Sequence, residues 1–129
     1  MLIAACLVVA GAVNAVIPGE FFTLRRTHSV EQILREHDYR VAGDVLVLMN
    51  SRVSGSGARM APVPGAQLKD GVWHRRENRK IDRLSLTRSP HDGDYTWCNH
   101  SGCRPLAHWL GPPHDVQLVE VRAGAACKR

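Results

Sequence analysis

Residues 83–97 constrain this chain more than any other stretch: Arg83-Leu-Ser-Leu-Thr-Arg-Ser-Pro-His-Asp-Gly-Asp-Tyr-Thr-Trp97. Leu84 and Leu86 alternate with Arg83, Ser85 and Thr87, which is the period of a strand with one buried face and one solvated face. Pro90, His91, Asp92 and Gly93 then supply turn chemistry: a fixed φ, a side chain that bonds its own backbone, and tolerance of positive φ. A second strand starts through Gly93-Asp94-Tyr95. A tyrosine at that point can bury its ring while its hydroxyl bonds back to the turn. A strand, a polar turn and a second strand of this kind direct the reading toward an all-β fold.

The remaining segments agree. Phe21-Phe-Thr-Leu24 reads as an early strand and Gly43-Asp-Val-Leu-Val-Leu-Met49 as the clearest one. Val72-Trp-His-Arg-Arg76 reads as a strand with Trp73 buried, followed by a polar turn at Glu77-Asn-Arg-Lys80. Strands over Ile81–Thr87, Tyr95–Cys98 and Val116–Arg122 complete the set. In the last, Val116 and Leu118 are expected to face the core, with Val119 and Val121 as further candidates. Ser51–Gly71 is Gly/Pro-rich and reads as a long loop. One piece differs: Ser29 and Gln32 make a capping-box pattern and Val30, Ile33 and Leu34 share a face, which predicts a short helix near residues 29–36. Short strands without a long amphipathic helix predict an antiparallel β-sandwich.

A chain of 129 residues with 44% hydrophobic content has room for one domain and enough apolar surface for a core. Met1–Ala15 is apolar, too short to span a bilayer, and ends in small residues at Val13-Asn14-Ala15. It reads as a signal peptide, the alternative being a buried first strand or helix. Residues 16–129 are then a single secreted domain with its core over 43–122. Removal of the leader takes Cys6 with it and leaves Cys98, Cys103 and Cys127, an odd set. Cys98 and Cys103 are close enough to close a small loop, and Cys127 could pair with either. No other segment reads as a membrane span.

Taken in order, these strands resemble an immunoglobulin-like domain. Gly43–Leu48 resembles its second strand and Val72–Arg75 its third, with Trp73 in the place of the core tryptophan. Arg83–Thr87 with Asp92–Tyr95 resembles its fifth strand and tyrosine corner, and Val116–Val121 its closing strand. The resemblance covers Asp44 to Arg122. It departs at the inter-sheet bridge: Trp97 stands where the family has a cysteine two residues after the corner tyrosine, and no cysteine lies near Met49 or Asn50. Trp97 is expected to fill the space of the missing sulfurs. The resemblance implies a non-enzymatic extracellular module for recognition or adhesion, receptor-like or immune, that binds a protein ligand.

The composition favours acidic partners: Lys+Arg 17 against Asp+Glu 12, net +5, and pI ≈ 9.4. Arg75, Arg76, Arg79 and Lys80 form a basic cluster that Arg25, Arg26 and Arg83 could adjoin. It is either a charged edge that resists strand pairing or a patch for an acidic ligand. A small basic protein that binds heparin-like sulfated glycans is the alternative function; nucleic acid is not expected. Trp109, between Gly102 and Pro113, is either an exposed binding anchor or a core cap. Asn99-His100-Ser101 is a glycosylation sequon. Cys98, His100, Cys103, His108 and His114 match no standard zinc spacing, so neither a metal nor a cofactor is expected. No serine sits in a nucleophile elbow and no glycine-rich phosphate loop precedes a helix. An enzyme is not expected.

Overall fold

The structure, a computed structural model, describes residues 3–28, 32–55, 64–81 and 83–127. Its strands, in chain order, are β1 (Ala4–Val9), β2 (Ala12–Pro18), β3 (Phe21–His28), β4 (Ile33–Ala42), β5 (Val45–Gly55), β6 (Gln67–Lys69), β7 (Val72–Ile81), β8 (Leu84–Arg88), β9 (Thr96–Asn99), β10 (Gly102–Pro105) and β11 (Gln117–Ala123). A one-turn helix α1 (Ala107–Leu110) and a 3-10 turn (Gly124–Cys127) complete the described chain. All pairings are antiparallel. They build a four-stranded sheet, β2-β1-β11-β8, and a seven-stranded sheet, β10-β9-β3-β4-β5-β7-β6. The chain is therefore an all-β antiparallel sandwich. No helix among the described residues is long and apolar enough to cross a membrane.

Alternation explains the core. From the small sheet, Ala5, Leu7, Ile17, Leu86, Val119 and Val121 point inward; from the large sheet, Phe22, Leu24, Tyr39, Val41, Leu46, Leu48 and Trp97 meet them. Two hairpins turn on residue pairs with positive φ at both positions, Ala10-Gly11 (50° and 79°) and Asp70-Gly71 (51° and 79°). That backbone matches the twist of the strands it joins.

Several expectations give way. From Ile33 onward the short helix is strand β4, with Ile33, Tyr39 and Val41 buried; residues 29–31 lie outside the described residues. Hydrogen-bonded neighbours on both sides, β3 and β5, outweigh the local capping signal. The stretch read as a leader forms β1 and the first part of β2. Ala4, Cys6 and Leu7 have no exposure, and β1 lies between β2 and β11. It takes the buried-strand alternative. Cys6 is bonded to Cys127 and Cys98 to Cys103, so no thiol is left over among the described residues.

The expected loop over Ser51–Gly71 begins later, because β5 runs to Gly55 and β6 forms ahead of Asp70-Gly71; residues 56–63 lie outside the described residues. The expected turn at Glu77–Lys80 is continuous strand β7, with Asn78 at φ 47° beside an irregularity in its pairing to β5. In β11 the buried residues are Val119, Val121 and Ala123, while Leu118 and, just before the strand, Val116 are each 67% exposed. A shift of one residue exchanges the faces of a strand. The strand order also departs from the immunoglobulin pattern. β5 and β7, in the places of its second and third strands, are hydrogen-bonded neighbours here; in that family they lie in opposite sheets.

Candidate functional site

The corner after β8 is held by charge. Arg88 is 2% exposed. Its Nε and Nη2 donate to the Asp94 carboxylate at 2.9 and 3.2 Å, its Nη1 to Gln117 at 2.7 Å and its Nη2 to the Gly111 carbonyl at 2.8 Å. Asp94 also accepts from the backbone N–H groups of Tyr95 and Ala107, each at 2.9 Å. One buried ion pair thus ties β8, the turn, α1 and β11 together. The Tyr95 ring packs against the core as expected. Its hydroxyl does not return to the turn: it accepts from Arg26 Nη1 at 2.9 Å, and the Arg26 guanidinium lies 4.5 Å from the ring centroid.

Arg26 belongs to a larger assembly. The seven-stranded sheet is broader than the small sheet packed on it, and the uncovered part of its inner face forms a groove beside β8. A cavity of about 520 Å³ there is floored by Leu24, Leu48, Ile81, Leu84 and Leu86 and carries Arg26, Arg35, Arg79 and Arg83 with no carboxylate among its lining residues. An adjoining cavity of about 220 Å³ shares Arg35, His37, Leu48 and Arg79 and adds Trp73, Arg75 and Glu77. Glu77 lies 3.8 Å from both Arg75 and Arg79. Arg35 and Arg83 make no salt bridge among the described residues.

The outer face of the same strands is different. There Arg52 donates to both Asp38 oxygens at 2.6 and 2.7 Å, and Glu36 is shared by Arg25 at 3.1 Å and Arg52 at 3.4 Å. Burial alone would raise the Asp38 carboxyl, but hydrogen bonds from Arg52 and Thr23 outweigh it and hold the group below its usual value. On the outer face Arg25 and Arg52 are matched by Glu36 and Asp38; the inner cavity gathers four guanidinium groups with no carboxylate in its lining.

The groove also has neutral donors. Burial pushes the Tyr39 phenol up to about 12, so its hydroxyl stays protonated at neutral pH. Burial lowers the His37 imidazole below its ordinary 6.5; Arg35 and Arg79 push the same way and Glu77 opposes them. His37 Nδ1 lies 3.4 Å from the Tyr39 hydroxyl. Guanidinium forks over an apolar floor suit a carboxylate or another oxyanion, and the volume falls in the range of ligand sites.

The structure divides the basic cluster read from sequence. Arg75 and Arg79 line the groove with Arg26 and Arg83. Arg76 and Lys80, at the alternate positions of β7, are exposed and face the other way; Arg25 sits with the outer pairs. Trp73 is half-buried and packs on Ile33 and Val53. Trp97, 1% exposed, stacks on Phe22 at 3.9 Å, and Tyr39 stacks on Phe22 at 5.2 Å. Trp109 is the core cap rather than an exposed anchor, its ring edge-on to Trp97 at 6.2 Å. Cys98 and Cys103 are spent on a bridge across the β9–β10 hairpin. Asn99 sits at the tip of that hairpin, where its Oδ1 accepts from the Ser101 N–H at 2.8 Å.

Sequence reading missed Arg35, His37, Tyr39 and Glu77. Arg35, His37, Tyr39 and Val41 recur every second residue, a strand signal hidden by the helical reading of the residues before them.

A family profile described as Domain of unknown function (DUF1850) matches residues 22–106, a span that contains every residue of the groove. No curated protein and no solved structure matches the chain. With more than half of its 129 residues inside that profile, the chain belongs to the DUF1850 family.

Proposed function

We propose that the domain is a non-enzymatic recognition module that works outside the cytosol and binds a protein ligand through an acidic segment seated in the inner-face groove. The observation that carries this reading is the excess of cations: Arg26, Arg35, Arg79 and Arg83 line one cavity whose lining holds no carboxylate, although Arg26 meets Asp92 at 3.6 Å and Arg79 meets Glu77 at 3.8 Å outside that lining. Cations gathered in one concave groove focus their field and attract anions more strongly than the same charges spread over the surface. Glu77 lies between two arginines and the Tyr39 hydroxyl stays protonated, which suits holding a ligand rather than moving protons. Two disulfides support an oxidising compartment.

Exposed Arg76 and Lys80 support the second reading, a sulfated-glycan surface on the outer face. Charge reversal separates the two. In the variant Arg35→Glu/Arg79→Glu, binding of a glutamate-rich peptide should be lost while heparin retention falls little. Arg76→Glu/Lys80→Glu should leave the peptide affinity within about twofold, well under the tenfold that 1.4 kcal/mol represents. If the outer pair governs both ligands, the groove is not the binding site.

A further inference from the structure

Resting on that reading, we propose how the partner binds: its acidic segment adds as a strand to the free edge of β8. β8 ends the order of the small sheet, with β11 on one side and no strand on the other among the described residues. Arg83, Leu84, Ser85 and Leu86 line the groove from the β8 side, and side chains of β3, β4, β5 and β7 line the rest. A strand laid next to β8, at the ordinary spacing of about 4.8 Å, therefore extends the four-stranded sheet across the part of the seven-stranded sheet that is uncovered. Backbone hydrogen bonds to β8 supply affinity, and alternate side chains pointing down supply specificity.

The other edges fit less well. β6 has three residues and β10 has four, ending in Pro105. β2 ends in Pro18 and is flanked by α1. Short edges and proline are features that discourage strand addition. Among the described residues, the β8 edge is the one that opens on the cavity lined by Arg26, Arg35, Arg79 and Arg83.

Those groups also choose the occupant. A second copy of this basic chain would bring Arg83 and its neighbours against the same charges, which is repulsive. In an extended segment that alternates carboxylates with aliphatic residues, every carboxylate falls on one face; with that face down, the carboxylates meet the arginines while their methylene stems lie over the leucine floor. Facing residues on such a segment sit about 6.6–7 Å apart.

The test uses the full chain and end-capped peptides alternating glutamate and valine. Backbone N-methylation of every second residue removes donors from one edge of an added strand and leaves the side chains in place. Methylation at one parity should weaken binding by about tenfold or more, the loss of one or two hydrogen bonds, and at the other parity should change it less than about threefold. Equal affinity for both parities overturns strand addition while leaving the anion groove standing. A lysine–valine peptide binding as tightly as the glutamate–valine one overturns both. A dimer seen by sedimentation, dissociating when the peptide is added, would make a second copy the natural occupant and overturn the acidic segment.

Discussion

Arg88 is a charged side chain whose role is structural. A guanidinium at 2% exposure is tolerable only when its donors are satisfied, and Asp94, Gln117 and Gly111 take them. Arg88→Met leaves Asp94 without its cation and should cost about 3–5 kcal/mol in urea unfolding; a loss below about 1 kcal/mol would mean the pair is not the clamp described here. His37 gives a prediction about pH. Its folded value lies below 6.5 because of burial, so the unfolded chain takes the proton first. Its contribution to stability is intact above pH 6.5 and declines as pH falls toward the lower folded value. Arg35 and Tyr39 from β4 and Arg79 and Glu77 from β7 face it. An anion beside Arg35 and Arg79 favours the imidazolium, so peptide binding should tighten as pH falls below 6.5. His37→Asn should abolish that trend; the same slope in the variant would place the titrating group elsewhere.

Among the elements, β1 and β2 carry the largest departure from expectation. An apolar run ending in small residues satisfies both a signal peptidase and the centre of a sheet, and composition does not distinguish them. The turn that separates β1 from β2, Ala10-Gly11, has positive φ at both positions, but Ala-Gly is not one of the residue pairs that mark a hairpin in sequence. Asp70-Gly71 is such a pair and marks the β6–β7 hairpin, within a stretch read as loop. β8 and β9 were legible because alternation and turn residues agreed, and β4 was not because its first turn carries a capping box. The two disulfides differ in what they hold. Cys6–Cys127 ties the central strand to the last turn across a separation of 121 residues, whereas Cys98–Cys103 closes a hairpin across a separation of 5. Loop entropy gives about 4–5 kcal/mol for the first and about 2 for the second. Cys6→Ala/Cys127→Ala should therefore lower the denaturant midpoint more than Cys98→Ala/Cys103→Ala; the reverse order would contradict β1 as a core strand.

At the level of the whole molecule, the mismatch between a seven-stranded and a four-stranded sheet creates the groove. Sequence supplied half of it. Arg79 is legible as a member of the basic cluster and Arg26 and Arg83 as residues that could adjoin it, but which arginines share a face depends on pairing register, and that follows from contacts between distant strands. The most direct measurement is an NMR titration of the intact chain with the glutamate–valine peptide, following arginine Nε–Hε signals. Arg26, Arg35, Arg79 and Arg83 should shift together and saturate at one affinity, with Arg76 unmoved. Shifts centred on Arg76 and the Lys80 amide, with the groove arginines silent, would contradict the account.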